Sequence, residues 1–145
     1  MRPILSTQSV AWLIALLLLG TTARAEPVVV VNAHSGVEHL SQDEVINIFL
    51  GRYRKLPSGV AAMPVDQPEG SALRAEFYRR LVNKELNEIN AYWSRLVFSG
   101  KTSPPRQAAS ASEVVSILNG TAGGIAYIER SQVDSRFRIV LELPR

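Results

Sequence analysis

The chain has 145 residues, a length that suits one domain. It contains no cysteine, which excludes disulfides and the attachment of a lipid to an N-terminal cysteine. Sixteen basic residues against thirteen acidic ones give a formal net charge of +3, too small an excess to argue for nucleic acid as a partner.

The first 25 residues predict a secretory signal peptide. Arg2 supplies the positive charge of the N-terminal region, and residues 10–19 form the apolar region. Ala23-Arg24-Ala25 has the A-x-A pattern of a cleavage site. The apolar run is too short to span a bilayer of about 30 Å, although a retained N-terminal anchor is the alternative. Cleavage leaves residues 26–145, a single domain with fourteen basic and thirteen acidic residues and a net charge of +1. We therefore expect a periplasmic protein that is not embedded in the membrane once the signal is removed.

The remaining chain alternates between strand and helix patterns. In order, the patterns predict a strand at 27–32, a helix at 41–50, a strand at 60–65, helices at 71–82, 84–98 and 110–118, and strands at 124–129 and 137–143. Capping boxes are predicted where Ser41 precedes Glu44 and where Ser110 precedes Glu113.

The first strand suggests how the sheet is built. Val28–Val31 has no polar alternation, which is typical of a strand buried on both faces, as in a parallel sheet. Pro64 indicates an edge strand or a late position in the ladder. We expect an α/β fold, a three-layer sandwich with a small, mainly parallel sheet and no internal domain boundary.

The turn between the second strand and the second helix has the pattern of an anion site. Gly70 allows the backbone to approach a ligand, and Ser71 begins the helix. The free N–H groups at a helix start and the helix dipole both favour an anion. The commoner alternative is an ordinary N-cap, in which Ser71 bonds to its own helix.

Three motifs, in order along the chain, carry a resemblance to a known family. The first is the helix that ends in Ile48-Phe49-Leu50-Gly51, the second is Glu69–Arg74 followed by Phe77, and the third is Ala122–Tyr127. They are similar to the motifs I-F-x-G, [D/E]-G-S-G-T-[R/T]-x-x-F and P-G-x-I-G-Y of the phosphate-binding components of bacterial ABC transporters. The chain resembles one lobe of such a two-lobed, type II periplasmic binding protein.

This resemblance implies a function for the turn. Gly70, Ser71 and Ala72 would bind phosphate or a related oxyanion, with Arg74 as a nearby positive charge and Gln67 as a neutral donor. Ala72 and Leu73 stand where the family has glycine and threonine, and Gln67 stands where it often has arginine. With these donors lost, the resemblance implies weak binding, linked to phosphate ABC transport and without metal or cofactor.

A second function stays open, in which the lobe is a ligand-free interaction module for a periplasmic sensor, transporter or envelope complex. Such a module would show an apolar surface patch and no pocket at Ser71. An enzyme is disfavoured, because the sequence has neither a Ser-His-Asp pattern nor a G-x-S-x-G motif.

Two other groups have less specific patterns. His34 and His39 lie in a loop and are interpreted as surface or packing residues rather than metal ligands. The basic loop Arg52-Tyr53-Arg54-Lys55 is either solvated or a contact for an anionic polymer or membrane surface. The small net charge favours a solvated loop.

Overall fold

The computed structural model describes residues 24–145, so most of the predicted signal peptide, residues 1–23, lies outside the described residues. In chain order the elements are β1 (Pro27–Asn32), α1 (Gln42–Phe49), β2 (Met63–Asp66), α2 (Ala72–Val82), α3 (Leu86–Phe98), β3 (Arg106–Gln107), α4 (Ala111–Asn119), β4 (Gly124–Glu129) and β5 (Phe137–Glu142). A 3-10 turn over Arg130–Gln132 follows β4. No described helix has both the length and the apolar character needed to cross a membrane.

The sheet is mixed, with the strand order β3-β2-β4-β1-β5. β1 runs antiparallel to both β4 and β5, whereas β2 runs parallel to both β4 and β3. The predicted α/β class is confirmed. The prediction of a mainly parallel sheet was wrong, because two of the four strand pairs are antiparallel.

Burial of the valine run explains why the α/β class was predicted correctly and the strand directions were not. Val29 and Val31 join an apolar cluster with residues of α1, α2 and α3, while Val28 and Val30 join a second cluster with residues of α4. The sheet is therefore the middle layer of three. An unbroken apolar strand shows that helices cover both faces, and this coverage does not depend on the direction of the neighbouring strands.

The helix ends show which local signals form as predicted. The capping box of Ser41 and Glu44 is present. At α4, Ser110 Oγ accepts from the Glu113 N–H, but the Glu113 carboxylate accepts from Ala109 N instead of Ser110 N. Asn83 ends α2 in the left-handed conformation, with φ of 53°.

The two edges of the sheet are formed by β3 and β5. β3 has only two residues, and it joins β2 from Val65 onward, so Pro64 is not required to donate a hydrogen bond on that side. On the opposite edge, Leu40 N donates to the carbonyl of Val140 in β5, at 3.0 Å. The chain thus protects part of its own sheet edges.

Candidate functional site

The turn that precedes α2 has the geometry of a helix cap. Ser71 Oγ accepts from Arg74 N at 3.3 Å, and Ser71 N donates to the carbonyl of Pro68 at 3.1 Å. Gly70 has φ of 82°, a conformation that favours glycine. Among the described residues, the N–H groups of Ala72 and Leu73 have no hydrogen-bond acceptor. The cap therefore leaves two backbone donors at the positive end of the α2 dipole.

A buried carboxylate lies directly before this turn. Asp66, the last residue of β2, is 4% exposed. Its Oδ1 accepts from Gln67 N at 3.0 Å and from the hydroxyl of Tyr127, and its Oδ2 accepts from the Tyr78 hydroxyl at 3.0 Å and from Arg74 Nε at 3.1 Å. Four donors on one carboxylate offset the loss of water around a buried charge.

Arg74 is buried with its charge already compensated. The side chain forms an ion pair with Asp66, and its Nη2 donates to Asn90 Oδ1 at 3.3 Å. Burial opposes the charged guanidinium, but the Asp66 carboxylate outweighs that effect and raises the pKa of Arg74. The positive charge that the sequence predicts near the turn is therefore present, but the negative charge of Asp66 neutralises it.

The two tyrosines act as permanent donors to Asp66. Burial, and then the adjacent negative charge of Asp66, raise the pKa of Tyr78 and of Tyr127 well above the usual value of 10.0. Both hydroxyls therefore stay protonated across the neutral range. The Tyr127 ring also stacks on Phe77, with centroids 3.7 Å apart, which fixes its hydroxyl toward β2.

Gln67 is likewise engaged in the interior. Its side chain is 2% exposed, and Nε2 donates to the carbonyl of Tyr127 at 3.0 Å. Beside this network is an open cavity of about 430 Å³, which is lined by Asp66, Glu69, Arg74, Asn90, Trp93, Ser94, Pro104, Pro105 and Gln107. Of the predicted site residues, only Arg74 lines it. Gly70, Ser71 and Ala72 lie together in the turn, between Glu69 and Arg74, which both line the cavity.

No group of three or more His, Asp or Glu side chains within residues 24–145 is placed to hold a metal ion. His34 lies in the turn after β1, where its backbone N–H donates to Asn32 Oδ1 at 2.8 Å.

Comparison with known proteins gives structural matches only: no protein-family model and no curated protein matches the chain. A Clostridium perfringens protein named as a phosphate ABC transporter substrate-binding protein, solved with bound phosphate, aligns with a TM-score of 0.63 and 16% identity. An ABC-type phosphate transport receptor from Vibrio cholerae aligns at 0.63 and 14%, and a possible phosphate binding protein from Planctomyces limnophilus at 0.56 and 13%.

This chain has the fold of one lobe of such a binding protein. The alignments cover 80% of this chain but only 44%, 45% and 40% of the three neighbours, so the lobe spans less than half of their length. The resemblance seen in the sequence motifs is confirmed at the level of the fold. All three neighbours are named for binding or transport rather than for catalysis.

Sequence reasoning missed the acceptor at the centre of the network. A polar residue at the carboxyl end of a strand is a known signal for a ligand edge, and Asp66 fits that signal. Tyr78 is four residues after Arg74, so both lie on one face of α2. Tyr127 is 61 residues away from Asp66, and no local pattern predicts that contact.

Proposed function

We propose that this chain is an exported, non-enzymatic, solute-binding-like protein that binds phosphate or a related oxyanion weakly at the start of α2. The observation that carries the proposal is the pair of unbonded N–H groups at Ala72 and Leu73, beside the Ser71 hydroxyl. The fold adds support, because one structural neighbour was solved with phosphate bound. A link to phosphate ABC transport rests on the names of these neighbours.

Weak binding follows from the charges around the turn. The guanidinium of Arg74 is held by Asp66, so an incoming anion meets a neutral pair rather than a free cation. Glu69 is exposed and stands two residues before Ser71, which adds a repelling carboxylate. Backbone donors and one hydroxyl then have to supply the binding energy, at roughly 1 kcal/mol for each hydrogen bond. We therefore expect a phosphate dissociation constant in the millimolar range.

The decisive experiment is calorimetric titration of residues 26–145 with phosphate, using sulfate as a competitor. This segment includes every described helix and strand. Ser71→Asp should abolish phosphate binding while α2 stays capped, because aspartate is as good an N-cap as serine but carries a negative charge.

A matched control is available at α4. Ser110 caps that helix by the same contact to the N–H three residues later, at 3.1 Å, so Ser110→Asp makes the same chemical change at another helix start. This variant should bind phosphate as the parent protein does. Equal loss of binding in both variants would assign the effect to net charge, and unchanged binding in Ser71→Asp would overturn the proposed site.

The second candidate function is the ligand-free interaction module. Two observations favour it: Asp66 supplies Arg74 with an internal anion, and the side chains of Val97 and Phe98 are 53% and 96% exposed. An absence of heat from phosphate across the millimolar range, in protein shown to be folded by circular dichroism, would select this function over solute binding.

A further inference from the structure

The structure divides the basic side chains into two sets. Within residues 24–145, nine arginines and lysines form ion pairs with carboxylates: Arg24, Arg74, Arg79, Arg80, Lys84, Arg130, Arg136, Arg138 and Arg145. The other six in that part of the chain are exposed and form no ion pair: Arg52, Arg54, Lys55, Arg95, Lys101 and Arg106. These six fall in two segments, residues 52–63 and 95–106, and neither segment contains an acidic residue.

The exposed apolar side chains fall in the same two segments. In the described part of the chain, the large apolar residues that stand open to solvent are Tyr53, Val60, Met63, Val97 and Phe98. Phe98 is 96% exposed, so nearly its whole ring projects from the end of α3. We call residues 52–63 and 95–106 together the basic-apolar surface.

The two segments adjoin in space. Arg54 Nη2 donates to the carbonyl of Lys101 at 3.4 Å, and both residues line a cavity of about 520 Å³ together with Val97. Arg52 and Arg95 line another groove between helices. The carboxylate in that groove is Glu88, which pairs with Lys84 at 3.6 Å. The two segments of the basic-apolar surface therefore meet near the C-terminal end of α3, through Arg54 with Lys101 and through Arg52 with Arg95.

We propose that the basic-apolar surface binds peripherally to a bilayer that contains anionic phospholipids. Unpaired basic side chains attract an anionic headgroup layer, and the exposed aromatic rings of Phe98 and Tyr53 favour its interfacial region. A second copy of this chain is disfavoured, because two such surfaces would repel each other. A protein partner would need a pocket for the projecting Phe98 ring, whereas a bilayer accommodates it without one.

This proposal does not depend on phosphate binding, because the basic-apolar surface contains none of Gly70, Ser71 and Ala72. The test is co-sedimentation of residues 26–145, which lack the apolar run of the signal region, with two sets of vesicles. One set is phosphatidylcholine alone, and the other contains about 30% phosphatidylglycerol. We expect binding to the anionic vesicles only, and loss of most of it when salt is raised from about 20 mM to about 500 mM.

Two variants assign the binding to this surface. Phe98→Ser removes an exposed ring without opening the core, and Arg54→Glu with Lys101→Glu reverses two charges; each should reduce the bound fraction at least about fivefold. The control is Arg136→Glu with Arg138→Glu, an equal change of charge at β5 on the opposite edge of the sheet, which should bind as the parent protein does.

Three outcomes would overturn the proposal. The first is no binding to anionic vesicles at low salt, and the second is an equal loss in the control variant. The third is a dimer, measured by light scattering, that disappears in Phe98→Ser; the surface would then be an interface between copies. Binding to soluble polyglutamate but not to anionic vesicles would also overturn the proposal, and it would indicate an acidic protein partner.

Discussion

Asp66 joins four parts of the chain through one carboxylate. It accepts from the adjacent Gln67 backbone, from Arg74 and Tyr78 on α2, and from Tyr127 on β4. Such a group holds the end of β2, the start of α2 and the middle of the sheet in one arrangement. The same group also decides how much positive charge the neighbouring turn can present to a ligand.

Asp66→Asn should destabilise the fold. The substitution leaves the buried guanidinium of Arg74 without its negative partner and turns an amide donor toward groups that are donors themselves. The expected loss in the free energy of unfolding is about 3 kcal/mol, measured by urea denaturation.

The matched comparison is Tyr127→Phe, which keeps the ring stacked on Phe77 and removes one of the four donors. We expect a smaller loss, about 1.5 kcal/mol, because three donors still compensate the carboxylate. Stability that is unchanged in Asp66→Asn would show that the buried pair contributes nothing to holding the turn.

At the scale of single elements, α2 carries a cluster of charges that gives the protein a pH dependence. Glu76 accepts from Arg79 and Arg80, at 2.6 Å each. The hydrogen bond from Arg79, assisted by that from Arg80, lowers the pKa of Glu76 from 4.5 to about 2. The ionised Glu76 therefore stabilises the folded protein. This stabilisation is fully present above pH 4.5, the pKa of Glu76 in the unfolded chain, and is lost as the pH falls toward 2.

Glu76→Gln should therefore reduce the free energy of unfolding at pH 7 by about 1 kcal/mol, a value discounted for solvent screening because Arg79 is 40% exposed. The variant should also lose part of its dependence on pH between about 4.5 and 2, measured by urea denaturation at each pH. Glu38→Gln is the control, since that carboxylate is 85% exposed, and it should have a smaller effect at pH 7. A Glu76 variant that follows the parent curve throughout would contradict the assignment.

The contact between β2 and β4 depends on a glycine. A Cβ at Gly123 would lie 1.8 Å from the carbonyl oxygen of Ala61, and Met63 N donates to the Gly123 carbonyl at 2.8 Å. Gly123→Ala should push the start of β2 away from β4 and lower the free energy of unfolding by about 3 kcal/mol, measured by thermal unfolding.

Gly120→Ala is the control for that prediction. Gly120 has φ of −91°, and its nearest neighbour for a new Cβ is the carbonyl oxygen of Ser116 at 3.6 Å, an ordinary contact. We expect a change within about 0.5 kcal/mol. Equal losses at the two glycines would mean that the close approach to Ala61 is not what makes Gly123 necessary.

The elements that the sequence predicts well are those defined by local signals. The valine run of β1 and the capping box of α1 appear where the pattern puts them. The pattern does not predict β3, because two exposed residues have no periodicity, nor the strand directions, because burial does not encode direction. The N-cap at Ser71 is predicted because its signal is local. The pairing of Arg74 with Asp66 is missed because it depends on how β2 packs on α2.

At the scale of the whole molecule, the described residues bury apolar side chains on both faces of the sheet. The two apolar clusters cover opposite faces of the sheet, and both are built from residues 24–145. Helices of the same lobe therefore cover both faces of the sheet, although the lobe spans less than half of the neighbouring binding proteins.

The partly protected edges of the sheet affect how the protein behaves at high concentration. A long open edge would offer unpaired backbone groups to strands of other molecules and begin fibrous stacking. Here one edge ends in the two-residue β3, and the other is met at Val140 by Leu40 of the same chain. The short β3 and the Leu40 contact each reduce the length of open edge, and this lowers the tendency of the lobe to polymerise through its sheet.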